Sequence, residues 1–290
     1  MPKLFITGST GLLAGWILPQ LQQELSNEYQ VLTLKRADLN QLEVANTSWT
    51  NDDIILNLAA LSNVDSCQQN PHEAYLANIK IPQNFALISK KYGTKIIHIS
   101  TDHIYDSPKP STESEVNIRN VYAMSKLAGE LALQNGTVQQ NTICLRTNFF
   151  GKSKARKPSF SDWVFTVFSE KQNPTFFDNI YLSFIHWSTL SAAITTVINN
   201  FKPGIYNIGA ADSISKADFA IRTAKALGIY HTGYKITQDN SQGELGRAMR
   251  PKLMMMDSSL FARTFNFNLP TIDQEIAKLQ KEYNNEITTK

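Results

Sequence analysis

Cysteine is nearly absent from this chain: Cys67 and Cys144 are the only two among 290 residues. One pair allows at most one disulfide and offers no metal-ligand spacing, which excludes a disulfide scaffold or a zinc module. Both thiols are expected to be reduced and buried, acting as small core residues, and no metal is expected. Long apolar runs are missing too. Stretches such as Ile54 to Leu56 are strand-sized, far below the about 20 residues that a membrane-crossing helix needs. The N-terminus carries no basic region followed by an apolar segment and a small-residue cleavage site, so a cytoplasmic chain with no membrane partner is expected. Neither sign of charge dominates, with 28 Lys and Arg against 25 Asp and Glu and a formal net charge of +3. That balance argues against a nucleic-acid partner and makes any anion site local. Repeats, heptads and low-complexity tracts are absent, and the one biased stretch is the basic run Lys152 to Lys157.

What the chain does have is 42% hydrophobic residues, enough for a substantial core. Leu4 to Ile6 form an apolar run that stops at Thr7-Gly8-Ser9-Thr10-Gly11, after which Leu13, Ile17, Leu21 and Leu25 recur at helical spacing. That is a strand, a tight turn and a helix, with Pro19 expected to bend the helix or be tolerated at a cost. Further compact runs follow at Val31 to Leu34, Ile54 to Leu58, Lys95 to Ser100 and Thr142 to Leu145, separated by helix-sized segments. One of these segments starts at Pro71, is interrupted by Pro82 and ends at Gly93.

Strands alternating with helices predict an α/β fold, a Rossmann-type doubly wound parallel sheet that binds its ligand at the carboxyl ends of its strands. After Gly151 the pattern changes to a basic loop and the aromatic-rich segment Phe160 to Phe168. Ile185 to Ile198 then read as a helix and Gly204 to Gly209 as a strand, while Ser215 and Asp218 cap a helix closing at Gly228. The expected organisation is a dinucleotide-binding domain over 1–150, joined again by 184–212. A smaller substrate-binding lobe is expected from 151–183 and 213–290.

Three groups of residues carry chemistry. The turn Gly8-Ser9-Thr10-Gly11-Leu12-Leu13-Ala14 lets backbone amides approach a pyrophosphate, with a helix aiming its positive end at the anion. Ala14, a small residue, replaces the third glycine. After Leu34, where an acidic residue often holds the adenosine ribose, this chain has Lys35 and Arg36. Cations there suit a 2′-phosphate and predict NADPH, with NADH as the alternative; a solvated basic pair is the plainer reading. Tyr122 and Lys126 stand one helical step apart, which places phenol and ammonium on one face and lets the lysine lower the phenol pKa. Upstream, Ser100-Thr101-Asp102 ends a strand, so the Thr101 hydroxyl can meet the same substrate oxygen as Tyr122.

Together these residues resemble the extended short-chain dehydrogenase/reductase family, most closely its dTDP-4-dehydrorhamnose reductase branch. The matching stretches are Thr7 to Leu13, Leu56-Asn57-Leu58-Ala59-Ala60 with Val64-Asp65, His98 to Asp102, Val121 to Glu130, and Leu145-Arg146-Thr147. The resemblance implies a catalytic triad of Thr101, Tyr122 and Lys126. It also implies adenosine and ribose contacts from Asp38, Leu39, Ala59, Ala60 and Asn78, and places Asn148 between nicotinamide and substrate. Arg250-Pro251 resembles the family's late arginine that meets a nucleotide diphosphate, although a surface cation explains it equally well. Asp102 is expected beside Thr101 in the substrate site. Trp163 and Phe160 are candidates for stacking on a base or sugar, with core packing as the other reading, and His186 reads as a packed interior histidine.

Departures narrow the chemistry. His103 stands where the branch often has tyrosine, and where related dehydratases carry the glutamate of Thr-Asp-Glu; Ala123 replaces a usual glycine. Without that glutamate, ketone reduction is the better reading. The expected activity is NADPH-dependent reduction of a nucleotide-linked 4-keto-6-deoxy sugar, with a homodimer as the family expectation. The rivals are a non-catalytic regulatory subunit resembling the β subunit of methionine adenosyltransferase, and a nucleotide-sugar epimerase.

Overall fold

A computed structural model describes residues 1–35, 39, 48–153, 158–241, 243 and 247–287, the last four as backbone only. Arg36 and Asp38, both expected at the cofactor, lie outside the described residues, as do positions 154–157 of the basic run.

The first strand, β1 (Lys3–Thr7), is buried along nearly its whole length and leads through the glycine turn into α1 (Leu12–Leu25). Apolar residues on both faces are what a strand in the middle of a parallel sheet requires, and β3 (Ile54–Asn57) and β5 (Thr142–Thr147) are buried at every position. With β2 (Gln30–Leu34), β4 (Lys95–Ile99) and a late strand, β10 (Gly204–Ile208), they form a six-stranded sheet of order β10-β5-β4-β3-β1-β2, parallel throughout. Strand order reverses at β1, so the crevice at the carboxyl ends of β1 and β3 is where such a sheet binds its ligand.

Alternate side chains feed two cores. Leu4, Ile6, Leu56, Ile97 and Leu145 join Leu13, Ile17 and Leu21 of α1 on one face. Phe5, Ile55, Ile96 and Cys144 meet Ile81, Phe85 and Ile88 on the other. Helix α1 runs unbroken with Pro19 inside it, its apolar face on the sheet.

After α2 (Val64–Gln69), the segment from Pro71 departs from a single interrupted helix. It forms α3 (Pro71–Tyr75), a π-helical turn over Leu76–Lys80, and then α4 (Ile81–Tyr92) with Pro82 in its first turn. Proline offers no N–H to the preceding turn, so placing it at a helix start costs nothing while the wider turn carries the chain across. Gly93 caps α4 at φ +74° and donates its N–H to the Ser89 carbonyl at 2.8 Å. The catalytic candidates ride on α5 (Val121–Leu133), whose N-cap Asn120 accepts from the Ala123 N–H. This helix packs so closely on the π-helical turn that a Cβ on Gly129 would lie 2.2 Å from the Asn78 carbonyl oxygen.

Beyond β6 (Phe149–Phe150), a capping box of Ser159 and Asp162 starts α6 (Phe160–Ser169), turning the aromatic segment into an amphipathic helix. Short strands follow: β7 (Thr175–Phe177), β8 (Tyr181–Leu182) and β9 (Ile185–His186), the last pairing with β6. Helix α7 (Trp187–Asn199) packs beside α1. Past β10, β11 (Ile214–Ser215) leads into α8 (Lys216–Ala226), which packs on α6 around Val164, Phe168 and Ala220. Strand β12 (Lys235–Thr237) pairs with β7, while β11 and β13 (Leu253–Met254) flank β8. The chain closes with α9 (Ser259–Phe265) and α10 (Ile272–Ile287).

Candidate active site

The glycine turn lies at the carboxyl end of β1. Gly8 has φ +67°, and a Cβ there would sit 2.8 Å from both the Ala59 nitrogen and the Leu58 carbonyl carbon. Only glycine fits between the turn and the chain leaving β3. Above it opens a cavity of about 380 Å³ lined by Gly8, Ser9, Thr10 and Gly11 on one side and Ala59 and Ala60 on the other. Lys35 and Leu39 line its far end. Eight of the residues expected at a dinucleotide thus share one cavity, and the close-backbone cradle suits a pyrophosphate. Leu12 and Leu13 do not line it; they pack in or against the core beneath the sheet. Asn78 is also set back. Its Oδ1 accepts from the Leu61 N–H at 2.8 Å and its Nδ2 donates to Ser125 Oγ at 2.9 Å, so it ties the loop after β3 to α5 while its neighbour Ala77 faces the cavity.

At the end of β4, Thr101 is buried and its hydroxyl oxygen accepts from the His103 N–H at 3.1 Å. Tyr122 is 9% exposed, and burial pushes its phenol up to about 12, a hydrogen bond with Thr101 acting in the opposite direction. Against the expectation that Lys126 lowers the phenol pKa, burial moves it upward and Thr101 is the group that opposes the shift. Lys126 instead donates to the Ile99 carbonyl at 2.7 Å, and its own pKa is drawn down to about 8 by burial. A phenol that keeps its proton is what a proton donor needs.

Next to Thr101, Asp102 is 1% exposed and accepts from Asn148 Nδ2 at 2.7 Å. Burial raises its pKa to about 7, while Asn148, Thr101 and Lys216 hold it lower than burial alone would. The His103 ring meets the edge of Tyr122 at 5.4 Å, and burial drives its pKa down to about 3.

His103 and Asn148 open onto a second cavity, of about 220 Å³, whose other polar residues are Lys216 and Arg250 and whose apolar wall includes Phe160, Phe184 and Met254. Phe160 thus lines the cavity, whereas Trp163 stacks behind it at 5.7 Å and remains 39% exposed. Arg250 pairs with Asp65 at 2.8 Å. Its guanidinium bonds hold the Asp65 carboxyl below the usual range.

Lys216 is a site residue that the sequence reading missed. It follows the Ser215 cap at the first position of α8, where the helix dipole disfavours a cation, and burial lowers its pKa. A lysine placed against the dipole was the available signal.

Cys67 and Cys144 are buried free thiols. His186 is packed inside, with Nδ1 2.8 Å from Ser188 Oγ and Nε2 3.2 Å from Glu282. Of the basic run, Lys152 is tied to Glu282 of α10, its N–H donating to Oε2 at 2.8 Å. Among the described residues no cluster of His, Cys, Asp and Glu could hold a metal, and no helix is long and apolar enough to cross a membrane.

The family described as RmlD substrate binding domain matches residues 2–285, nearly the whole chain. The chain belongs to this family. A dTDP-4-dehydrorhamnose reductase of Sinorhizobium fredii is 27% identical over 297 residues, covering 96% of each chain. Among solved structures, a dTDP-4-dehydrorhamnose reductase of Yersinia enterocolitica superposes with a TM-score of 0.84 at 21% identity, covering 98% of this chain and all of that one. One of Bacillus anthracis, in complex with NADP, superposes at 0.82 with 22% identity, covering 97% and 99%. At those identities the superpositions establish the fold. In this chain the glycine turn lines the first cavity, and Thr101, after β4, hydrogen-bonds with Tyr122 of α5, with Lys126 one helical turn further along.

Proposed function

We propose that this protein is an NADPH-dependent reductase of a nucleotide-linked 4-keto-6-deoxy sugar, acting as a dTDP-4-dehydrorhamnose reductase does. The observation that carries the reading is the Tyr122 phenol, kept protonated by burial and hydrogen-bonded with Thr101, in ring contact with His103 of the second cavity, while the glycine turn lines the first. One of these cavities is built for a dinucleotide. NADPH, when bound, supplies the hydride for C4. As charge develops on the sugar oxygen, Tyr122 gives up its phenolic proton and Thr101 donates a hydrogen bond to the same oxygen. Lys126 stands one turn along, where it meets the ribose.

Lys35 at the adenosine end of the cavity favours a 2′-phosphate, in keeping with the NADP-bound relative. Lys216 and Arg250 give the second cavity two cations for a diphosphate, and Phe160 and Phe184 give it an apolar wall. The absence of a glutamate at His103 disfavours dehydration.

Replacing Tyr122 with phenylalanine should reduce turnover of the keto sugar about 10²- to 10⁴-fold while leaving NADPH affinity within a factor of a few. A Tyr122→Phe enzyme with undiminished turnover would falsify the assignment. Wild-type protein that binds NADPH yet turns over no keto-sugar nucleotide would point instead to a regulatory subunit.

A further inference from the structure

Beneath the site, a buried hydrogen-bonded chain links the cofactor turn to the catalytic lysine. Thr7, the residue before Gly8, donates its hydroxyl to Asn57 Oδ1 at 2.7 Å. The backbone N–H of Ala59, which lines the dinucleotide cavity, lies 3.1 Å from the same oxygen. Asn57 Nδ2 lies 2.8 Å from His98 Nδ1, and His98 Nε2 lies 3.4 Å from Lys126 Nζ. Thr7, Asn57 and His98 are all fully buried, so no solvent competes for these groups.

The proton positions follow from the one donor that cannot be reversed. The Ala59 N–H is a backbone donor shared between Asn57 Oδ1 at 3.1 Å and Thr7 Oγ1 at 3.2 Å, so the Asn57 atom facing it is the carbonyl oxygen; the flipped amide would bring a second N–H group against this donor. Asn57 Nδ2 therefore donates to His98 Nδ1, which must be the unprotonated ring nitrogen. Complete burial holds the His98 pKa well below its ordinary range, so the ring is neutral and its single proton resides on Nε2. That N–H points at Lys126. An ammonium carries only donors and would meet it donor to donor, whereas a neutral amine accepts from it and still donates to the Ile99 carbonyl.

We propose that His98 is a positioning residue for Lys126: locked as its Nε2–H tautomer by Asn57 and Ala59, it presents a donor to the lysine nitrogen and biases Lys126 towards the neutral amine. The groups opposing this bias are Glu130 on α5 itself and Cys144 on β5. Because Asn57 is held by Thr7 and Ala59, the cofactor turn and the protonation state of Lys126 are joined through buried hydrogen bonds. The place of Lys126 in turnover rests on the reductase reading above, but the tautomer and the lysine titration are measured without substrate, so either can fail alone.

Nitrogen-15 NMR of histidine-labelled protein should show a neutral His98 with its proton on Nε2; a proton on Nδ1 overturns the proposal. Carbon-13 NMR of labelled lysine should place the Lys126 midpoint near 8. His98→Gln, whose carbonyl oxygen can accept from the ammonium, should raise that midpoint by about one unit or more. A folded His98→Gln protein with an unmoved midpoint overturns it. If that variant does not fold, the tautomer of the wild-type protein decides the question.

Discussion

Asp102 offers the most quantitative test of how the site is built. Its carboxyl is 1% exposed and its pKa stands at about 7 against an ordinary 3.8. A carboxyl whose folded pKa is raised binds protons more tightly when native than when unfolded. Its contribution to stability is therefore fully present below pH 4 and is lost as pH rises from about 4 to 7. At 1.36 kcal/mol per unit, the difference corresponds to about 4 kcal/mol at full desolvation, and about 2–4 kcal/mol after relaxation of the site.

Asp102→Asn keeps the shape, preserves an acceptor for Asn148 Nδ2 and removes the charge. The variant should match the wild type near pH 4 and exceed it above pH 7. With about 2.1 cal/mol/K per residue of unfolding entropy, the gain in Tm is about 3–6 °C. Thermal unfolding followed by circular dichroism at a series of pH values reads this directly. A Tm difference that is zero at pH 8, or that shrinks as pH rises from 4 to 8, would refute the reasoning. The same variant should lose turnover, since a residue kept at a stability cost beside Thr101 is kept for the site.

Gly8→Ala should weaken NADPH binding at least about 10-fold and cost about 1–3 kcal/mol of stability, because the added carbon meets the Ala59 backbone at a positive φ; calorimetric titration with NADPH checks the first part. Glu130→Gln should destabilise the fold by about 3–5 kcal/mol, read by urea unfolding, since it leaves the 2% exposed Arg146 without the carboxylate that it grips from Nε and Nη2. Lys216→Met should raise KM for the nucleotide sugar several-fold or more and flatten its salt dependence while leaving NADPH affinity unchanged; equal effects on both ligands would contradict its placement in the second cavity.

The sequence was legible where local chemistry fixes structure. Gly8 marks a point in the turn that admits no side chain, and the unbroken apolar runs at Ile54 and Thr142 fit strands buried on both faces. The Tyr122–Lys126 step needs only a helix to align it. What was not legible depends on parts distant in sequence. Lys216 belongs to the second cavity because α8 packs on α6 and brings its first turn towards Asp102 and Arg250; a lysine against the helix dipole marks the position as unusual but does not name its neighbours. The chain from Thr7 through Asn57 and His98 to Lys126 crosses three strands and a helix, and each residue alone reads as an ordinary strand position. Likewise, helical spacing shows that Lys126 is near Tyr122 but not that burial moves the phenol upward, or that the amine is engaged by Ile99.

The central claim is that a hydride goes from the cofactor to C4 of a keto sugar. Incubating the protein with NADPH deuterated at the transferring position and dTDP-4-dehydrorhamnose, then analysing the sugar by mass spectrometry and NMR, tests it most directly. The account predicts one NADPH oxidised per product and one deuterium, located at C4. Product formed without net loss of NADPH, or a sugar lacking deuterium at C4, would contradict it.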